Sequence, residues 1–121
     1  MARITLDDIK QTYRCAKDIH EKKLIAINKL AKDIRMNPNS AKYYVEAFLN
    51  MVEGRCYEER ISVDATEYFL KMISVDFGQQ YIRLALSSVE QHIKHRESFE
   101  DRKMQSIRKV HRKFSKKLQE T

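Results

Sequence analysis

His92 and His95 lie three residues apart, a spacing that puts both rings on one helix face and can hold a metal ion. No cysteine, third histidine or well-placed carboxylate near them completes such a site. Cys15 and Cys56 are isolated thiols 41 residues apart, and His20 is five positions from Cys15, off its helix face. Because nucleophilic catalysis needs a base beside the nucleophile, we expect a chain without a catalytic centre, a metal or a cofactor.

The basic residues are concentrated near the C-terminal end of the sequence. Residues 94–117 hold ten Lys or Arg against three Asp or Glu, a surplus equal to the +7 net charge of the whole chain. A near-neutral body with a cationic arm predicts a polyanionic partner, most commonly nucleic acid. The candidate phosphate contacts are Arg35, ahead of the central motif, and in the arm Arg102, Lys103, Arg108, Lys109, Arg112, Lys113, Lys116 and Lys117.

A second candidate site lies around Asn37-Pro38. Proline disfavours helix in the residue before it and suits the first helical position, so Asn37 is expected to cap a helix that starts at Pro38. Apolar residues at helical spacing over 24–34 predict a preceding helix that ends near Arg35. Helix, short turn and helix have helix-turn-helix dimensions, in which early outward residues of the second helix reach base edges. The base-contact candidates are Asn37, Asn39, Ser40, Lys42 and Tyr43.

These side chains suit base edges, but the motif has a plainer interpretation. Asn pairs with adenine, Lys with guanine or phosphate, and an exposed Tyr packs on a pyrimidine methyl group. Asn-Pro-Asn-Ser is also simply an efficient helix start. The usual turn glycine is missing, and Arg35 or Met36 holds its place. The spacing alone therefore leaves both DNA recognition and structural capping open.

The sequence predicts an all-α chain. Only two Gly and one Pro occur in 121 residues, which favours helices joined by short loops. We expect a compact five-helix domain that contains the helix-turn-helix-like pair and ends in a long basic helix. The predicted helices cover about 5–19 (opened by Thr5 and Asp8), 24–35, 38–53 (ended by Gly54), 64–77 and 79 onward. Nothing from 94 to 119 breaks a helix, so one continuous rod is allowed. The domains are predicted as 1–96, DNA-binding, and 97–121, a basic amphipathic extension.

The extension also carries an apolar seam. Met104, Ile107, Phe114 and Leu118 recur at 3-4 spacing like a short coiled coil, with His111 in one apolar position. Three interpretations stay open: the arm tracks DNA backbone, it forms a homodimer through these four residues, or it links to a further domain. The apolar face is too thin to favour a membrane surface.

Part of the chain resembles a known module. The stretch with Leu30-Ala31, Met36-Asn37-Pro38-Asn39-Ser40-Ala41 and Tyr44 resembles a helical module near the N-terminus of McrA-like HNH endonucleases and related restriction proteins. Further segments similar to that module are Arg60-Ile61-Ser62, Ala65-Thr66-Glu67-Tyr68-Phe69-Leu70, Phe77-Gly78, Leu84-Ala85-Leu86 and His92-Ile93. The resemblance covers about 24–95, although that module commonly has Gly where this chain has Arg35.

The resemblance implies a target-recognition module from a system that cuts foreign, often base-modified, DNA. It does not imply cleavage, because an HNH nuclease needs a ββα unit with a His-Asn-His metal site that this sequence lacks. Whether the chain is the N-terminal part of such an enzyme or a free-standing relative stays open. The runner-up function is a protein-interaction or dimerisation module that uses the C-terminal seam.

No apolar run approaches the roughly 20 residues that a membrane span requires. The N-terminus also lacks the apolar stretch of a signal peptide. We therefore expect a soluble cytoplasmic protein whose partner is double-stranded DNA and not a membrane.

Overall fold

A computed structural model describes residues 4–22, 38–99 and 104–119. The secondary structure of these residues is entirely helical, which confirms the all-α prediction. The helix predicted over 24–35 lies outside the described residues, so the helix-turn-helix pair stays a prediction. The helices are α1 (Leu6–Lys22), α2 (Pro38–Glu53), α3 (Val63–Phe77), α4 (Gln79–Glu97) and α5 (Gln105–Gln119).

Helix α4 is the centre of the packing. It contacts α2, α3 and α5, while α1 packs on α2 and α3, and α5 also packs on α3. The two helices that carry the predicted DNA contacts, α2 and α5, therefore share one supporting helix. The contacts that hold α4 in position therefore also help to position both candidate surfaces.

The start of α1 is a reciprocal capping box. The Thr5 backbone N–H donates to the Asp8 carboxylate at 2.9 Å, and the Asp8 N–H donates to the Thr5 hydroxyl at 3.2 Å. This confirms the predicted start. The helix continues to Lys22, past the predicted end, because its polar last turn contains no Gly or Pro to stop it.

Gly54 ends α2, as the sequence predicts. Its φ of +71° is left-handed, its N–H donates to the Met51 carbonyl at 3.2 Å, and the Arg55 N–H donates to the Asn50 carbonyl at 2.9 Å. This pair of bonds is a Schellman motif, which satisfies the last carbonyls of a helix. A Cβ at Gly54 would also lie 2.9 Å from Leu84 Cδ2. The left-handed conformation therefore favours glycine here, whereas the Leu84 methyl group is the end of a flexible, exposed side chain that can move aside.

An aromatic cluster joins the first three helices. The Phe48 ring of α2 packs edge-on against Tyr13 of α1 at 5.1 Å and against Phe69 and Phe77 of α3 at 6.0 Å each. Such edge-to-face pairs add stability beyond the area they bury. The Tyr13 hydroxyl donates to Asp76 Oδ2 at 2.8 Å, so this ring fills the core and keeps its polar end paired.

The chain does not form the continuous C-terminal helix that the sequence allows: Gln79–Glu97 and Gln105–Gln119 are separate helices. Helix α4 ends at Glu97, where the Ser98 N–H donates to the Lys94 carbonyl at 3.1 Å, and α5 packs back on α3 and α4. A straight rod would leave four large apolar side chains in water, whereas the reversal buries each of them, at about 1.5–3 kcal/mol apiece. They are Met104, Ile107, Val110 and Phe114, with exposed fractions of 4–7%.

The apolar seam considered as a homodimer contact packs within the chain itself. Met104, Ile107 and Phe114 belong to the hydrophobic core, and Leu118 packs partly buried against it. His111 fits its apolar position because its Nε2 lies 3.1 Å from the Leu86 carbonyl oxygen, to which it donates. Although the domain boundary predicted at 96/97 coincides with the end of α4, the segment after it contributes to the same core.

Candidate nucleic-acid interface

Helix α5 has two chemically opposite faces. It contains six basic residues and no acidic residue. Its apolar side chains are buried against α3 and α4. The side chains exposed to solvent include Arg108, Lys109, Arg112, Lys113, Lys116 and Lys117. Burial of one face therefore holds the cationic face outward on a packed support.

Glu97 fixes the corner where α5 begins. Its Oε2 accepts the Met104 backbone N–H at 2.9 Å and the Arg108 Nε–H at 3.1 Å, and its Oε1 accepts a second Arg108 N–H. A carboxylate is favourable there because the N-terminus of a helix carries partial positive charge. These hydrogen bonds raise the pKa of Arg108 above its ordinary value. Arg108 is thus engaged within the chain rather than free for a ligand.

Lys113 is engaged as well. Its Nζ lies 2.9 Å from Glu67 Oε1, an ion pair that links α5 to α3. The same Nζ is 5.8 Å from the centroid of the Phe114 ring, and the Lys117 Nζ is 5.5 Å from that centroid. Both distances are in the range of cation–π attraction. These contacts orient the helix but reduce the charge that Lys113 offers to a partner.

On α5, four cations are without an ion pair among the residues that the structure describes, and one of them, Lys117, lies against the Phe114 ring. The other three are Lys109, Arg112 and Lys116. Their spacing of three and four residues puts them in one row on the outer side of α5. The row is about 10 Å long, because a helix rises about 1.5 Å per residue. We call Lys109, Arg112 and Lys116 the outer row. Of the other predicted phosphate contacts, Arg35, Arg102 and Lys103 lie outside the described residues.

The first turns of α2 hold the described base-contact candidates. Lys42 is exposed and Ser40 and Tyr43 are half-buried, whereas the neighbouring Ala41 and Tyr44 are buried. The structure therefore turns the predicted side chains away from the core. Asn37 and the side chain of Asn39 lie outside the described residues.

The neighbourhood of Tyr43 is acidic. A groove of about 320 Å³ beside it is also lined by Glu46, Glu58 and Glu59, and by no basic residue. Carboxylates repel a phosphate backbone. On α2, repulsion of a phosphate backbone is therefore weakest at the first turn, which has no acidic residue.

His92 has a structural role that the sequence did not reveal. Four side chains of α4 donate to backbone carbonyls of the loop that follows α2. Ser88 and His92 do so at 2.5 Å each, Gln91 at 3.0 Å and Arg96 at 3.3 Å, all to residues 54–58. The spacing of these donors puts them on one side of α4, a signal that is readable only once the loop is known to lie there. His92 is thus a loop anchor.

The buried His92 ring makes stability depend on pH. The ring is 2% exposed and stacks 4.0 Å from Tyr57, and burial lowers its pKa to about 4. In the unfolded chain the pKa is about 6.5, so between these values protons bind the unfolded state preferentially. The contribution of His92 is complete above pH 6.5 and is lost as pH falls toward 4. We expect His92→Gln to be less stable at pH 7 and to lose less stability than wild type by pH 4.5.

Urea unfolding at pH 7 and pH 4.5 measures this difference. His95→Gln is the matched control, because His95 is partly exposed and carboxylates titrate alike in both variants. A His92→Gln chain with the wild-type pH slope would contradict the assignment.

Other chemistry has little support among the described residues. No group of three His, Cys, Asp or Glu there is arranged to hold a metal. Burial, and then the nearby Glu58, raise the pKa of the Cys56 thiol, which disfavours the reactive thiolate. Within the same residues, no helix is both long and apolar enough to cross a bilayer.

Comparisons with protein-family models, with curated proteins and with solved structures gave no match to this chain. Functional inference therefore rests on the residues themselves. The feature they present most clearly is the cationic face of α5.

Proposed function

We propose that the chain is a non-catalytic, all-helical module that binds double-stranded DNA. The outer row of α5 contacts phosphates, and the first turns of α2, with Ser40, Lys42 and Tyr43, face base edges. Phosphate contacts supply most of the affinity and are independent of sequence, whereas base contacts select the site.

The observation that carries the proposal is the charge of α5. A helix with six cations and no anion has its apolar face in the core, so its charge is fixed in position before any partner arrives. Lys109, Arg112 and Lys116 have no carboxylate partner among the described residues. A row of uncompensated cations on a rigid helix is the electrostatic footprint of a nucleic-acid-binding surface.

The resemblance of residues 24–95 to the McrA-like module supports a more specific proposal. On that basis the DNA is a target of a restriction or defence system, and recognition is sensitive to sequence or to base modification. The runner-up, dimerisation through the C-terminal seam, has lost its main support because that seam is buried in the chain itself.

The test of the proposal is duplex binding over a range of salt. Fluorescence anisotropy with a labelled 20-base-pair DNA at about 50–300 mM salt should give an affinity that falls steeply and log-linearly with salt. Competition with double-stranded RNA of the same length distinguishes DNA from RNA as the preferred duplex. Absence of binding to any duplex at about 50 mM salt would remove the proposal.

Tyr43→Ala tests the base-reading part. We expect the ratio of affinities between the best and the average duplex to fall by about tenfold, with an unchanged salt slope, because one base-edge contact is worth about 1–3 kcal/mol of discrimination. Selection from a randomised duplex pool, followed by anisotropy titrations of the selected duplexes and of the unselected pool, measures this ratio of affinities. Tyr81→Ala, a half-buried tyrosine of α4, is the control. Equal loss on every duplex would show that α2 reads no sequence.

A further inference from the structure

A groove lies at the C-terminal end of α5, where it meets the end of α3 and the start of α4. Its volume is about 250 Å³, slightly below the roughly 300–1,000 Å³ of sites for drug-sized ligands. Its apolar lining includes the buried Ile82 and Phe114, the partly buried Leu118, and Val75, which is 70% exposed. Such a groove has room for a single ring system.

The rest of the lining is polar or positive. Ser74 and Gln79 bring a hydroxyl and an amide, which carry both donors and acceptors, and Lys71 and Lys117 bring the charge. No acidic side chain lines the groove. An apolar floor with polar groups and cations matches a flat heterocycle attached to an anionic chain.

The position of the groove indicates the source of that heterocycle. Lys116 is the last residue of the outer row, and the adjacent Lys117 belongs to the groove lining. Lys117 is thus both an exposed cation of α5 and part of the groove lining, so the cationic face of the helix extends around it to the edge of the groove.

We infer that this groove takes one unpaired nucleobase of the nucleic acid held by α5. The inference rests on the proposed function and adds a ligand feature to it: a bulged, mismatched or single-stranded nucleotide whose neighbouring phosphates lie on the cationic face of α5. Lys71 and Lys117 in the lining are the candidate contacts of the adjoining phosphates. The Ser74 hydroxyl in the lining is the candidate hydrogen-bond partner of the base edge.

The experiment compares two DNAs at one salt concentration: a fully paired 20-base-pair duplex and the same duplex with one extrahelical adenine. Wild type should bind the bulged DNA about tenfold more tightly, the order expected for one accommodated base. Val75→Asp, at an exposed position, should bring that ratio close to one. Ser74→Glu is a second obstruction at another exposed position and should do the same.

Leu6→Asp is the matched control. It introduces the same charge at an exposed apolar residue, 54% accessible, on the first turn of α1. It should keep the tenfold ratio, and circular dichroism should show equal helix content in all variants. Because the ratio is taken within one variant, general electrostatic weakening cancels.

The possible results distinguish failure of the groove assignment from failure of the proposed α5 interface. Equal binding of both DNAs by wild type, or an unchanged ratio in Val75→Asp, would overturn the groove assignment and leave the α5 interface intact. Failure to bind either DNA would overturn both. A Glu-Phe-Glu peptide that binds wild type but not Val75→Asp, in a chain indifferent to the bulge, would assign the groove to a protein segment instead.

Discussion

Replacing Lys109, Arg112 and Lys116 together by alanine is expected to weaken duplex binding about 100-fold at 0.2 M salt, and more at lower salt. Each phosphate contact contributes about 0.9 to the slope of log affinity against log salt, so the slope should fall by about 2.7. The loss should be the same for every sequence, because phosphates carry no sequence information directly. Anisotropy titrations at four salt concentrations measure both quantities.

The control removes the same charge elsewhere. Arg14, Arg55 and Lys94 are exposed on α1, on the loop after α2 and on α4, and replacing all three by alanine also lowers the net charge from +7 to +4. A chain that binds only through its net charge would respond equally to both triple variants. Equal losses would therefore contradict a localised interface on α5.

Phe114→Ala is expected to lower the free energy of unfolding by about 3–5 kcal/mol, the usual cost of truncating a buried phenylalanine. Phe114 is 7% exposed and belongs to the core, so the truncated side chain leaves a cavity where α5 meets α3 and α4. Urea unfolding monitored by circular dichroism gives the change, with the midpoint and the m-value fitted separately.

Phe99 provides a matched control in the same chain. It is 59% exposed, and its contacts are with His95, at 5.2 Å, and Arg96, at 5.0 Å. Phe99→Ala should cost less than about 1 kcal/mol. If the two variants lost equal stability, α5 would not be docked as described, and the interface built on it would lose its support.

The sequence predicted local structure well where a single residue decides it. Thr5 with Asp8 fixed one helix start, and Gly54 with its left-handed φ fixed one helix end. The reversal after Glu97 was not predicted, because no Gly or Pro marks it. The chain turns there because burying the apolar face of α5 outweighs keeping a helix unbroken, and that balance depends on contacts with distant residues.

In the candidate site, too, local features were predictable from the sequence and contacts between distant residues were not. Helical periodicity was sufficient to identify the exposed cations of α5 and the outward residues of α2. It was not sufficient to tell which cations are engaged, since Glu97 and Glu67 come from other parts of the chain. Nor could periodicity reveal that His92 anchors a loop, because its partner, the Tyr57 carbonyl, is 35 residues away.

The Glu97 corner has a consequence for how fast and how tightly a partner is captured. A basic tail without structure would have to order itself on contact, at a cost of about 1–2 kcal/mol for each backbone residue fixed. Because the capped helix is formed in the chain alone, a ligand of the proposed interface would find it already shaped, and that entropic penalty would have been met during folding. Encounter should then resemble the docking of two preformed surfaces, without a coupled folding step.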